Sequence, residues 1–364
     1  MPERLIASLP TPAALVDLDR MEANLRRMQE YATRHGLGLR PHTKTHKTRW
    51  IAERQMELGA RGLTVATATE AAALAPATDD LLLAYPTFGA RARAAAESAA
   101  RRTTLVALDS IDAVHALRQA VNDAGAGEVG VLVELDVGMR RCGVSGAEQA
   151  IAVAQACGDG VPYRGLMFYP GHIRDMLSVQ DDALASLART LDAVVDALGE
   201  ADLAPEIVSG GSTPTAFRSH ELPHQTEIRP GTYVFNDRTS AGLDACGLDD
   251  CAYTILATVI STAVAGQAVV DAGSKALSSD PIRAPALEGF GQLLGRPEVT
   301  VDRMSEEHGV LDLSLTDWRP RLGERVRIIP NHVCVSVNLQ RELHGVRGEA
   351  VERSWRLDAT GWGA

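Results

Sequence analysis

The chain has no excess of positive charge, no even set of cysteines and no long apolar run, and each absence removes a class of function. Its 36 lysines and arginines are outnumbered by 47 aspartates and glutamates, giving a formal charge of −11 and a pI near 5.4. That balance argues against a nucleic-acid surface or an anionic membrane as the main partner, and a small-molecule enzyme fits better. No apolar stretch approaches the roughly 20 residues of a membrane span, and the amino terminus lacks a signal-peptide core, so a cytoplasmic protein is expected. The five cysteines, Cys142, Cys157, Cys246, Cys251 and Cys334, are odd in number and scattered. They read as free thiols in a reducing compartment. No repeat of fixed period and no low-complexity tract stands out.

At 364 residues, 45% of them hydrophobic, the chain can build more than one sizeable core. Pro10-Thr11-Pro12 and Ala13-Ala14-Leu15-Val16 read as an extended entry segment. Asp19 with Glu22 approximates a capping box, and Met21, Leu25, Met28 and Ala32 fall on one helical face. Short apolar runs then alternate with helical, often alanine-rich, segments: Leu37–Leu39, Leu63–Ala66, Leu81–Ala84, Thr104–Ala107, Val129–Val133, Arg164–Phe168, Glu206–Val208 and Thr226–Ile228. Continuous apolar strands between helices imply a parallel sheet covered on both faces, and about eight of them in some 200 residues fit a (β/α)₈ TIM-type barrel, with a doubly wound sheet as the other solution. From about Cys251 helices become scarce, and Tyr253–Thr262, Ala268–Asp271, Val310–Leu313 and Val326–Ile329 read as strands. The expected organisation is a barrel over 17–250 and a mostly β domain over 251–364, joined by residues 1–16.

The richest chemistry lies in Arg40-Pro41-His42-Thr43-Lys44-Thr45-His46-Lys47, which crowds five basic residues into one short run. Such a knot is expected outside the core. Pro41 pushes Arg40 toward an extended conformation, which puts the knot at the carboxyl end of a strand, where α/β folds keep their chemistry. The bland reading is a solvated loop. The sharper one is that a lysine crowded by cations has a lowered pKa and can attack a carbonyl to form a Schiff base, a task open to Lys44 or Lys47.

Ser209-Gly210-Gly211-Ser212-Thr213 follows a strand and precedes a helix, so its amides and hydroxyls can hold an anion; an ordinary turn is the alternative. Arg229-Pro230-Gly231-Thr232-Tyr233 ends the eighth strand. Barrel phosphate sites commonly use the loops after strands seven and eight, which is where these two segments fall. Asp136 to Gly143 carries Arg140 and Arg141 after the fifth strand, and Tyr169-Pro170-Gly171-His172 follows the sixth. Near the end, His332 and Cys334 would share a face if their segment is extended, so imidazole and thiolate could meet one metal ion; as a bare pattern this is usually accidental.

Several of these motifs, in this order along nearly the whole chain, resemble the D-threonine aldolase and D-serine dehydratase family, pyridoxal phosphate enzymes of the alanine racemase-like fold. The resemblance implies that Lys44 carries the cofactor, with His42 beside it, that Arg141 lies by its phenolic oxygen, and that Tyr169 lies close to the lysine. It implies phosphate contacts from Ser209 to Thr213 and from Gly231, Thr232 and Tyr233. Arg229 is placed against the pyridine nitrogen, which it would leave unprotonated. His332 and Cys334 match the family's divalent-metal motif, and a thiolate favours zinc over manganese. The implied reaction is retro-aldol cleavage of a D-threonine-like substrate to glycine and an aldehyde. The alternative is dehydration of D-serine or 3-hydroxy-D-aspartate to an oxoacid and ammonia; racemisation fits less well, and a non-enzymatic cofactor-binding protein leaves the metal motif unexplained. A homodimer is expected. Asp271, Lys275 and His308 receive no firm role.

Overall fold

The structure, a computed structural model, describes residues 4–125, 127–284 and 287–359, so the outermost ends of the expected second domain lie outside it. Contacts divide the chain into two units. One comprises Arg27–Ile173 and Leu177–Gly231; the other takes residues 174–176 and the described residues up to 26 and from 232 onward.

β1 (Ala13–Asp17) opens the second unit. Its successors β2 (Gly38–Leu39), β3 (Leu63–Val65), β4 (Asp80–Leu83), β5 (Thr103–Leu108), β6 (Gly130–Leu135), β7 (Tyr163–Phe168), β8 (Ile207–Gly210) and β9 (Glu227–Ile228) form the first. Among the described residues these eight make a parallel sheet in the order β2-β9-β8-β7-β6-β5-β4-β3. Its two edges meet: His42 and Thr64 form a parallel bridge, Arg61 N donates to Leu39 O at 2.8 Å, and Thr64 N donates to Pro41 O at 2.9 Å. The sheet is therefore a closed barrel, and the doubly wound alternative is excluded.

Alternation along the strands sorts the core into two layers. Val106, Leu108, Val131, Val133, Leu166 and Phe168 pack outward with helix residues such as Leu117, Leu187 and Leu191. Leu82, Leu105, Ala107, Leu132, Met167 and Ile207 form a separate inner cluster. The polar residues of the same parity, Asp80, Glu134 and Ser209, therefore belong to the barrel interior.

The expectation that the basic knot stays outside the core needs correction, because Arg40 and His46 are fully buried. Arg40 is tolerated because it is paired on two sides: Nε donates to Glu227 Oε1 at 2.9 Å, and Nη1 and Nη2 donate to Asp80 at 2.6 and 2.9 Å. His46 Nε2 meets Gln55 Oε1 at 3.2 Å, and its Nδ1 accepts from Thr48 N at 3.1 Å.

In the second unit β1 joins β10 (Tyr253–Ser261), β11 (Gln267–Val270), β12 (Gly291–Leu293), β13 (Arg296–Met304), β14 (Gly309–Asp312), β15 (Arg325–Pro330), β16 (Glu342–Arg347) and β17 (Ala350–Arg356). Among the described residues they form a mostly antiparallel nine-stranded sheet in the order β11-β14-β13-β12-β15-β10-β1-β16-β17. The segment 232–250, which its composition groups with the barrel, packs in this unit: Thr239 Oγ1 donates to Asn331 O at 2.7 Å. The first long helix, Leu18–Arg34, starts one residue before the expected cap at Asp19; Asp17 Oδ1 accepts instead from Asp19 N and Arg20 N at 3.1 and 3.0 Å. Asp271 is an internal brace, taking Thr11 Oγ1 at 2.5 Å and Thr258 N at 2.7 Å. Lys275 forms exposed ion pairs with Glu306 and Glu307 at 2.9 and 2.7 Å. No helix among the described residues is long and apolar enough to cross a membrane.

Candidate active site

In the barrel unit the chemistry collects where the strands end. Lys44 lies on a single 3-10 turn, Thr43–Thr45, just past β2, with His42 as its N-cap. Lys47 is committed elsewhere: its Nζ is 3.0 Å from Glu70 Oε1. Among the described residues no hydrogen-bond acceptor or carboxylate holds Lys44 Nζ. His42 is kept neutral, because burial pushes its pKa well down and the charges of Lys44, Arg229, His46 and Arg141 push it further. His42, Lys44, Arg141 and Arg229 thus share one electrostatic neighbourhood.

Arg141 comes from the loop after β6. Asp136 shapes that loop, its Oδ1 accepting from Gly138 N at 2.9 Å and Arg140 N at 3.0 Å. The Arg141 guanidinium stands 5.1 Å over the Tyr169 ring, a cation–π pair joining the ends of β6 and β7. Arg229, past β9, is buried, and burial drops its pKa to about 10. Its Nη2 donates to Phe168 O at 2.6 Å, while Nε is buried with no partner among the described residues. Cys142 is half-buried, its pKa raised by burial and then by Glu134 and Asp109.

The glycine segments follow β8 and β9 as expected. Gly211 has φ +99°, a backbone that L side chains rarely adopt, and it turns the chain into the 3-10 helix Thr213–Glu221. A Cβ on Gly231 would lie 2.9 Å from His42 O, so this strand end passes close beneath the lysine loop. Thr213 Oγ1 is buried without a partner among the described residues. Ser212 Oγ bonds to Thr215 Oγ1 at 3.0 Å, and Ser209 Oγ donates inward to Glu227 Oε1 at 2.6 Å.

Glu134 was missed. It is the single carboxylate in Gly-Val-Leu-Val-Glu-Leu, on the inner parity of β6 near its carboxyl end, and it sits 4.0 Å from Arg141 Nη2. Burial raises its pKa, with Arg229 and Arg141 pulling the other way. The signal that locates it is a charge inside an otherwise apolar strand.

The second unit holds the other candidate group. The extended His332-x-Cys334 segment expected above does not form: β15 stops at Pro330, and Val333–Leu339 is a helix with His332 as N-cap. The helix starts there because Val333 N is taken by Asp237 Oδ2 at 3.1 Å. His332 and Cys334 still meet, in hydrogen-bonding contact across the first helical turn. Burial pulls the His332 pKa down, but the Cys334 and Asp237 charges outweigh it and hold it up at about 11. Asp237 Oδ2 accepts from His332 Nδ1 at 3.0 Å. Thr232 Oγ1 lies 3.9 Å from Cys334 Sγ, and Tyr233 is buried beside it in sequence. No group of three or more His, Cys, Asp or Glu that could hold a metal occurs among the described residues.

The family described as "Alanine racemase, N-terminal domain" matches residues 16–239, and the "Putative serine dehydratase domain" matches 252–346. D-threonine aldolase of Arthrobacter sp. is 33% identical over 365 residues, spanning 98% of this chain and 94% of that protein. D-threo-3-hydroxyaspartate dehydratase of Delftia sp. is 35% identical over 355 residues, 91% of this chain and 92% of that protein. The crystal structure of D-threonine aldolase from Filomicrobium marinum matches with a TM-score of 0.89 at 34% identity, covering 99% of both chains.

Proposed function

The chain belongs to the D-threonine aldolase and D-serine dehydratase family of alanine racemase-like enzymes, and from that premise we propose that it is a pyridoxal phosphate-dependent lyase for D-configured β-hydroxy-α-amino acids. The observation that carries this reading is the division of labour in the basic knot. Among the described residues Arg40, His46 and Lys47 are taken up by partners, while Lys44 keeps an uncommitted amine beside a neutral imidazole.

The barrel residues fit the cofactor. Lys44 would hold it, Thr213 Oγ1 and the amides around Gly211 and Gly231 would take its phosphate, and the partnerless Nε of Arg229 would face its ring. Bound there, pyridoxal phosphate supplies the conjugated system that stabilises negative charge at the substrate's Cα. Arg229 cannot give up a proton at ordinary pH, so it moderates that sink without protonating it. Arg141 and Tyr169 orient the reactants from the adjoining strand ends, and Lys44 Nζ moves the proton at Cα. His332 and Cys334 fit a divalent ion, since an imidazole anchored by a carboxylate and a neighbouring thiol are a borderline-soft donor pair. Zinc or manganese held there would supply the Lewis acidity a β-hydroxyl needs to lose a proton or to depart.

Cleavage to glycine and an aldehyde is our reading, supported by the near full-length match to D-threonine aldolases in sequence and structure. Dehydration is the second reading, favoured by the Cys334 thiol and by the similarity to the hydroxyaspartate dehydratase. Incubating the purified protein with D-threonine, D-serine and threo-3-hydroxy-D-aspartate decides between them. Glycine with an aldehyde supports the first, oxoacid with ammonia the second, and inertness toward all three removes both. A homodimer belongs to the same proposal, and sedimentation of a fully active monomer would exclude it.

A further inference from the structure

Asp237 belongs to none of the motifs described above, yet it is fully buried and lies 95 positions before His332. Its carboxylate meets four donors. Oδ1 accepts from Ser240 N at 2.8 Å and Ser240 Oγ at 2.7 Å, while Oδ2 accepts from His332 Nδ1 at 3.0 Å and Val333 N at 3.1 Å. One oxygen thus holds both the imidazole and the backbone that leads to Cys334. The residues that follow Asp237 grip the same segment: Thr239 N and Oγ1 donate to Asn331 O at 3.2 and 2.7 Å, and Arg238 Nη1 donates to Asn331 Oδ1 at 3.2 Å.

We propose that Asp237 is the positioning residue of the metal ligand His332, fixing the ring with Nδ1 inward and protonated so that Nε2 is the nitrogen presented to a divalent ion beside Cys334. An ionised carboxylate can only accept, so it keeps the proton on Nδ1, and an ion that binds would displace the proton from Nε2, leaving that nitrogen's lone pair as the ring's donor. A carboxylate behind a ligating histidine also raises that ligand's basicity and removes the entropy of orienting it. The Val333 amide bond extends the effect to Cys334, which rides on the helical turn that bond starts.

This inference rests on the metal reading above, and the test separates the two. Full-length protein loaded with pyridoxal phosphate and stripped with a chelator is titrated calorimetrically with zinc. Compared are wild type, His332→Ala, Asp237→Asn and Ser240→Ala. If wild type has no saturable site that His332→Ala removes, the metal reading fails. If that site exists, Asp237→Asn is expected to weaken it about 10- to 100-fold, while Ser240→Ala, which touches only Oδ1, changes it by less than about threefold. Equal zinc affinity in Asp237→Asn and wild type overturns the proposal. An amide at 237 sets an N–H against a donor on one side, so the variant can lose its fold. Histidine-selective ¹⁵N NMR of zinc-loaded wild type, with His332 assigned by its loss in His332→Ala, then decides alone: a proton on Nδ1 is expected, and a proton on Nε2 with Nδ1 metallated overturns the proposal.

Discussion

Lys47 Nζ and Glu70 Oε1 are 3.0 Å apart with both side chains largely buried, and Glu70 Oε2 also accepts from Ala66 N at 2.7 Å. Three positions earlier, Lys44 has no such carboxylate among the described residues. Lys44→Ala should therefore lose all borohydride-trapped cofactor and the visible cofactor band. Lys47→Ala should keep both but lose about 3 kcal/mol of stability, because Glu70 is left as a buried charge without its counter-ion. Peptide mapping of the trapped protein and urea denaturation read the two outcomes, and cofactor trapped in Lys44→Ala would refute the assignment.

The proposed phosphate contacts predict a binding defect without a folding defect. Thr213→Val removes a buried hydroxyl that has no partner among the described residues, so the fold should be unaffected or slightly more stable. The dissociation constant for pyridoxal phosphate should rise roughly tenfold, the equivalent of one hydrogen bond to a charged group. Fluorescence titration of the apoprotein measures it. Unchanged affinity would remove Thr213 from the phosphate site.

If His332 and Cys334 hold an ion as proposed, chelation should abolish turnover while leaving the cofactor band and the melting temperature nearly intact, since two protein ligands do not make a closed structural site. Zinc or manganese should restore activity. Cys334→Asp should move the preference toward manganese, a hard oxygen having replaced a soft sulfur. Unfolding on chelation would mean that the ion is structural.

Acid stability should carry the signature of His46. Burial lowers its pKa from 6.5 to about 4, more than its bonds to Gln55 and Thr48 raise it. The unfolded chain takes up a proton that the folded state refuses, so stability falls as pH drops through the window from 6.5 to about 4. That single group accounts for about 3 kcal/mol by the lower limit. His46→Gln should flatten the slope of unfolding free energy against pH in that window, and an unchanged slope would locate the acid limb elsewhere, His42 being the nearest alternative.

Where the chain's own periodicity was strong, the elements were legible before folding. Leu81–Leu83, Leu105–Leu108 and Leu166–Phe168 are apolar on both faces because both faces of a barrel strand are buried, and such runs can be read one at a time. β13 and β17 were not, because their charged residues are largely exposed and few positions are buried: β13 buries Val299 and Val301, and β17 buries none of its residues. Asp237 was illegible for a different reason. An aspartate before Arg-Thr-Ser-Ala announces a helix cap, which it is, but nothing local to it points to a histidine 95 positions later.

The sequence by itself determined the alternation of strands and helices, the strand-end position of every candidate motif and the chemical types of Lys44, His332 and Cys334, since these depend on neighbours a few residues apart. Tertiary structure decided the rest. Barrel closure through His42 and Thr64, the burial of Arg40 between Asp80 and Glu227, the pairing of Lys47 with Glu70, and the helical turn that joins His332 to Cys334 all depend on partners far away in the chain. A buried charge survives only where a partner meets it, and composition alone cannot say which partner will be there.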